Sequence, residues 1–237
     1  VEKKNNKLKL LELISLEVLL VAGLFLLSVF AFAYLAHEVV QENEKAFDDK
    51  VANYFLSFSN EHVISVMKFF TFFGTIQFLI PAYILLIIYF YARKQYRYCI
   101  NIAIISISSS ALMFALKDIF HRARPQLPII KSFVTYSFPS GHALSSFIFC
   151  SIIIYFVWKS SLPKSWKWLF IILLLIFTLT IGISRIILRM HFPTDVIAGF
   201  CLGIAWVIFS FWLLRKIDYS NIFFKEKNPI INKEDVS

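Results

Sequence analysis

The sequence predicts an all-α integral membrane bundle of six transmembrane helices, with an external amphipathic helical segment between the first and the second. Three observations carry that expectation. Of 237 residues, 59% are hydrophobic and 16% charged, whereas a soluble domain is about 45–50% apolar and about 25% charged. The apolar residues are grouped into long runs, and six of these approach the ~20 residues that a bilayer span needs. The basic residues collect between alternate runs, as they do where a membrane protein fixes its orientation.

Each element then has its own reason. The first run, residues 16–36, follows Lys3, Lys4, Lys7 and Lys9 and ends near Ala31-Phe32-Ala33, as a secretory signal does. It exceeds the about 7–15 residues of a signal h-region, so an uncleaved anchor is expected. Residues 37–73 are rich in acid, and within them Phe47, Val51, Phe55 and Phe58 recur at helical spacing. This is an amphipathic helix at the interface that either packs against the bundle or helps to admit a lipid headgroup. The remaining spans are expected at about 75–92, 98–116, 142–157, 168–183 and 196–214. Together they make a membrane domain over 1–217, and 218–237 reads as a polar cytoplasmic tail. Cys99, Cys150 and Cys201 all fall inside apolar runs, which suits packing rather than a disulfide framework.

The chain carries 24 Lys and Arg against 15 Asp and Glu, a surplus of nine positive charges. No basic face or recognition module of a nucleic-acid binder accompanies it, so the expected partners are membrane lipids. The N-terminus, the turn Arg93-Lys94-Arg97, the loop with Lys159, Lys164 and Lys167, and the tail from Arg215 hold most of these cations. The positive-inside tendency puts those segments, and both termini, in the cytoplasm. Tyr89, Tyr91, Tyr96, Trp158, Trp166 and Trp168 fall near the inner boundary that this orientation implies.

Ionisable residues at span ends are costly and point to function. Three groups stand out: Lys117 to Arg124-Pro125 leaving the third span, Pro139-Ser140-Gly141-His142 entering the fourth, and Ser184-Arg185, His191 and Asp195 bridging the fifth and sixth. Two spans separate the loops concerned, so all three groups emerge on one membrane face, the external one. Brought together, they form a cationic cradle for a polyanion with acid–base and nucleophilic capacity. Arg124 and Arg185 offer guanidinium forks to phosphate oxygens, and Lys117 offers a point charge. Ser140 and Gly141 place backbone N–H groups at a helix N-terminus, where anions bind, and Gly141 lets the backbone come close. His191 and Asp195 lie four apart, so the carboxylate can fix the imidazole tautomer and leave the other nitrogen a better nucleophile. His142 is then available to protonate a leaving oxygen.

The pattern Lys-x6-Arg-Pro, Pro-Ser-Gly-His and Ser-Arg-x5-His-x3-Asp resembles the three-part signature of the type 2 phosphatidic acid phosphatase family, whose site architecture is shared with vanadium haloperoxidases. With each residue type near ~5% usage, the second motif alone arises by chance in about one such chain in a thousand. The motifs cover about a third of the chain. The resemblance implies a phosphohistidine at His191, Asp195 as its orienting partner and His142 as general acid. It assigns the phosphate to Lys117, Arg124, Ser140, Gly141 and Arg185, and it implies neither metal nor cofactor. The substrate is then a phosphorylated lipid: phosphatidylglycerophosphate, undecaprenyl diphosphate or phosphatidic acid.

Some residues stay outside that assignment. Arg189, two residues before His191, either snorkels to headgroups or adds an anion contact. Arg122 and Lys131 add positive field. His37, His62 and His121 match no motif and are expected to be non-catalytic. A transporter is disfavoured because its ionisable residues belong near the midplane, whereas these gather at one face. A non-catalytic binder of phosphorylated lipids is disfavoured by the intact His142, His191 and Asp195.

Overall fold

The computed structural model describes residues 2–41, 45–130 and 136–216, with residues 2–15 described as backbone only. Among them are eight helices and no strand: α1 (Glu2–Gln41), α2 (Lys45–Ser57), α3 (Glu61–Phe72), α4 (Ile76–Ala92), α5 (Tyr96–Phe120), α6 (Gly141–Lys159), α7 (Lys164–Ile187) and α8 (Pro193–Lys216). Five of these are long and apolar enough to cross a membrane: the apolar part of α1, then α5, α6, α7 and α8. A sixth span forms if α3 and α4 count as one element, bent by 41° at residues 73–75. The expected second span at 75–92 is thus the second limb of a broken helix. Its first limb, α3, packs against α7. The polar tail expected from residue 218 lies outside the described residues.

The outward surface is apolar. Leu19, Leu26, Phe30, Ile80, Leu85, Ile107, Ile172 and Leu179 are exposed, an arrangement that water would not tolerate over so large an area but hydrocarbon does. At the centre, Leu144, Ile148 and Ile152 of α6 are fully buried and face Ile102, Ile105 and Met113 of α5 and Leu214 of α8. α6 also packs on α7, and α1 lies along α8, where Ala36 and Val39 meet Ala198 and Phe138. Small residues allow this closeness, as they do where lipid supplies no hydrophobic drive between helices. A Cβ on Gly199 of α8 would stand 2.7 Å from the Ser140 carbonyl oxygen. Glycine is what lets α8 lie against the first turn of α6.

α2 is the amphipathic helix anticipated between the first two spans, but its inward face is not the expected one. Phe47 and Phe58 are exposed, and Phe58 follows the helix. The docking face is Asp48, Ala52 and Phe55: Asp48 is buried, and Ala52 and Phe55 pack against Ala143, Ile186 and Val196. A carboxylate sits at the centre of that face because a guanidinium and a threonine meet it there.

Candidate active site

The local sequence builds the site at one end of the bundle. α5 ends at His121, which adopts the left-handed conformation (φ 48°) and donates its N–H to the Lys117 carbonyl, one of the standard ways to close a helix. This leaves Lys117 in the last turn, buried, with Nζ donating to the Tyr136 carbonyl at 2.8 Å. Arg124 reaches the same carbonyl through Nη2 at 3.3 Å and the Met190 carbonyl through Nη1 at 2.7 Å. One backbone oxygen therefore holds the two cations together, and the Met190 carbonyl places Arg124 beside His191.

α7 ends in a tight turn in which the amides of Met190 and His191 both donate to the Arg185 carbonyl. Pro193 opens α8, a position where its missing N–H costs nothing. Asp195 then reaches back: its Oδ2 accepts the Phe192 N–H at 2.9 Å, the reciprocal half of a capping box. The same oxygen lies 3.3 Å from Nδ1 of His191. A carboxylate only accepts, so Nδ1 carries the proton and Nε2 the lone pair. Both side chains are buried. Burial, reinforced by the positive charges of Arg185, Arg124 and Lys117, holds the His191 imidazole well below its ordinary pKa. It is a neutral base among cations.

Among the described residues, two nitrogens in the site have no partner. Arg185 donates from Nη1 to the Thr71 hydroxyl at 2.6 Å, yet its Nε is buried and unpaired. His142, at the second position of α6, has a buried Nε2 without a partner. Buried polar groups are normally satisfied, so these nitrogens mark room for a ligand that accepts hydrogen bonds. His142 itself is held by the helix break: a Cβ on Gly74 would stand 2.8 Å from its Cδ2 and 2.9 Å from Ile181 Cγ2.

A model of the PAP2 superfamily matches residues 96–219, and phosphatidylglycerophosphatase B of Bacillus subtilis is 30% identical over 84% of this chain and 98% of its own length. The chain belongs to the PAP2 superfamily. Its fold agrees with the crystal structure of the transmembrane PAP2 type phosphatidylglycerolphosphate phosphatase from Bacillus subtilis, with a TM-score of 0.73 at 26% identity over 84% of this chain and 97% of that one. Aquifex aeolicus LpxE shares the fold more distantly, with a TM-score of 0.54 at 20% identity over 69% of this chain and 93% of that one. A shorter match, 33% identity over 38% of this chain and 40% of its own, joins it to the bacitracin transport permease protein BcrC of Bacillus licheniformis.

In this PAP2 enzyme Arg124 binds the Met190 carbonyl, Lys117 shares the Tyr136 carbonyl with Arg124, the Arg185 carbonyl accepts the His191 N–H, and Asp195 contacts the His191 ring, so these five residues stand together. The amide of Ser140 is already engaged. It donates to the Asp195 carbonyl at 2.9 Å, and the Ser140 hydroxyl caps Ala143 N–H at 3.5 Å. The Ser140 N–H therefore ties α6 to α8 and is not an anion donor. The amides of Gly141 and His142, at helix positions without an intrahelical acceptor, are the ones left for that task. Gly141 also has a second reason to be glycine, because a Cβ there would collide with Met113 Sδ.

Arg122 is far more than background field. Its Nη1 donates to Asp195 Oδ1 at 2.6 Å and to the Thr194 hydroxyl at 2.8 Å. Its Nη2 meets Asp48 Oδ2 at 2.7 Å, and its guanidinium covers the Phe192 ring at 4.2 Å. Asp48 also accepts the Thr194 N–H at 2.9 Å and the Thr194 O–H at 2.8 Å. Burial raises the Asp48 carboxyl above its usual value while Thr194 and Arg122 pull it down. A continuous chain runs Asp48–Arg122–Asp195–His191. Arg189 is half-buried in the left-handed region (φ 53°) with an unpaired Nε. His37, His62 and His121 are exposed, and Lys131 lies outside the described residues.

Proposed function

We propose that this membrane enzyme is a lipid-phosphate phosphatase that hydrolyses phosphatidylglycerophosphate through a phosphohistidine at His191, without a metal. The observation that carries the proposal is the buried His191–Asp195 pair, held neutral among Lys117, Arg124 and Arg185, beside the unpaired nitrogens of Arg185 and His142. The two Bacillus subtilis matches, covered over 98% and 97% of their length, are named for phosphatidylglycerophosphate, which puts that lipid first and leaves undecaprenyl diphosphate and phosphatidic acid as competitors.

In the first step Nε2 of His191 forms a bond to phosphorus as the phosphorus–oxygen ester bond breaks in line with it. His142 delivers a proton to the departing alkoxide, and Asp195 supports the charge that appears on the imidazole. The phosphoryl group passes through a loose, highly charged transition state, so most of the catalysis is positioning and electrostatic stabilisation. Lys117, Arg124, Arg185 and the amides of Gly141 and His142 surround its equatorial oxygens. His142 then removes a proton from water, which attacks the phosphohistidine and releases phosphate. Following the distribution of Lys and Arg, both termini are cytoplasmic and the site is external.

The test is phosphate release from phosphatidylglycerophosphate, undecaprenyl diphosphate and phosphatidic acid by purified protein in EDTA. Fastest release from phosphatidylglycerophosphate, lost in His191→Ala, supports the proposal. Release that EDTA abolishes, or that survives in His191→Ala, overturns it.

A further inference from the structure

A groove runs along α4 where that helix faces α6. It has a volume of about 490 Å³ and is walled by Phe72, Phe78, Ala82, Leu86, Phe149 and Ile153. Gln77 in the first turn of α4 and Tyr89 in the last also line it, so at about 1.5 Å per residue it is roughly 18 Å long. That is close to the ~15 Å that one leaflet contributes to a ~30 Å hydrocarbon core. Apart from the Gln77 amide and the Tyr89 hydroxyl, the lining is apolar. Ile80, Ile84 and Ile88 of the same helix are exposed, so this side of α4 meets the bilayer and a lipid can enter from it.

The groove starts beside the active site. Around the helix break, the Thr71 hydroxyl accepts from Arg185 at 2.6 Å, Phe72 walls the groove, and a Cβ on Gly74 would stand 2.8 Å from His142 Cδ2. On α6, Phe149 follows His142 by seven residues, two helical turns, and so lies beneath it on the same face. The Phe149 ring meets the rings of Phe78 and Tyr83 at 6.4 and 5.0 Å between centroids, which joins α6 to the groove's other wall. An in-line displacement by Nε2 of His191 puts the departing oxygen on the far side of phosphorus, where His142 protonates it. The departing alcohol is the lipid, so its hydrocarbon leaves the site past His142, towards Phe149.

We propose that the groove is the chain site of the substrate: it takes one acyl chain of the departing lipid over Ala82 and Leu86, with Gln77 beside the polar part of the molecule. The inference rests on the lipid-phosphate phosphatase reading and adds to it the residues that select the chain. Ala82 is the smallest side chain in the lining and stands five residues, roughly 7–8 Å, deeper than Gln77. A bulky side chain there blocks the hydrocarbon and leaves the phosphate site untouched.

The experiment measures kcat/KM of the purified full-length protein on dioleoyl phosphatidylglycerophosphate and on glycerol 3-phosphate, the same phosphomonoester without chains. Ala82→Phe fills the groove and should lower the value for the lipid about tenfold, within the range that overpacking a site costs, while glycerol 3-phosphate is hydrolysed as by the parent. Ile84→Phe, exposed on α4 outside the groove, leaves both substrates unchanged. Should Ala82→Phe lose both activities, Leu85→Trp at the groove's exposed rim disturbs no core packing and gives the same selective loss. An equal loss on the two substrates in Leu85→Trp, or undiminished hydrolysis of the lipid in both groove variants, overturns the proposal and leaves the phosphatase reading standing. A parent enzyme that releases no phosphate from the lipid overturns both.

Discussion

Replacing Asp48 by Asn separates positioning from chemistry in this site. The carboxylate is 1% exposed and accepts three contacts of 2.7–2.9 Å, from Arg122, the Thr194 hydroxyl and the Thr194 amide. An amide of the same shape can accept on only one side. Its NH2 faces either the Thr194 amide, which costs one buried hydrogen bond and sets two donors against each other, or both Arg122 and the Thr194 hydroxyl, which costs more. Hydrogen bonds involving a charged group contribute about 1.5–3 kcal/mol each, and removing one member of a buried ion pair costs about 3–5 kcal/mol. A loss of stability of about 3 kcal/mol follows. Arg122 then loses its Asp48 anchor, keeps its bonds to Asp195 and Thr194 and draws Asp195 Oδ1 with it, which turns Oδ2 away from His191 Nδ1. Misplacement of a reacting group by about 1 Å can cost 10²-fold in rate. Steady-state hydrolysis is therefore expected to show kcat about 10–100-fold lower with KM within threefold, since Asp48 touches no phosphate ligand. A variant that melts several degrees lower but keeps kcat within twofold would refute the reasoning and reduce the Asp48–Arg122 contact to a clamp for α2.

Other expectations follow from single contacts. Because burial and three neighbouring cations hold His191 well below the ordinary histidine value, kcat/KM should stay level on the acid side to well below pH 6.5; a limb centred at or above 6.5 contradicts that environment. The linkage has a definite sign. Below about pH 6.5 the unfolded chain binds the proton and the folded one does not, so this stability contribution is complete above 6.5 and lost on acidification; the melting difference between parent and His191→Asn measured from pH 8 to 5 checks it. Thr71→Val removes the hydroxyl that accepts from Arg185 at 2.6 Å, and inorganic phosphate should inhibit about tenfold more weakly; unchanged inhibition shows that Arg185 is positioned without it. Gly74→Ala drives a methyl toward His142 Cδ2, so kcat should fall on an alkyl phosphate and much less on an aryl phosphate whose leaving group needs no proton. Equal losses on both substrates exclude an effect through His142.

The parts of this site that the sequence revealed are those whose spacing is fixed within one turn or one loop. His191 and Asp195 meet because four residues make one helical turn, and the Pro-Ser-Gly-His stretch is a helix start on inspection. Arg124 and Lys117 stand in one motif, although their shared acceptor, the Tyr136 carbonyl, has no side-chain signal to find. The Asp48 contacts were illegible for a different reason. They join residues 74 and 146 apart in the chain, and an acidic residue on an amphipathic helix reads as solvated. Only the packing of α2 on α7 and α8 shows that its partners are buried with it. The helix break at residues 73–75 was similarly hidden, because apolar α3 resembled part of an external segment until Thr71 and Gly74 were seen against Arg185 and His142. Ser140 carried the opposite lesson: its position at a helix start suggested a free amide, and the Asp195 carbonyl of the closely packed α8 takes it.

The most direct test of the account is capture of the covalent intermediate. His142→Ala removes the base for the second step, and an aryl phosphate needs no acid for the first, so phosphoryl transfer to His191 should outrun hydrolysis. With 32P-labelled aryl phosphate and quenching in alkaline denaturant, the account predicts close to one acid-labile phosphoryl group per chain, mapped to His191 and missing from the His142→Ala/His191→Ala pair. Turnover by the parent enzyme with no label trapped in His142→Ala, or label on any other residue, would contradict it.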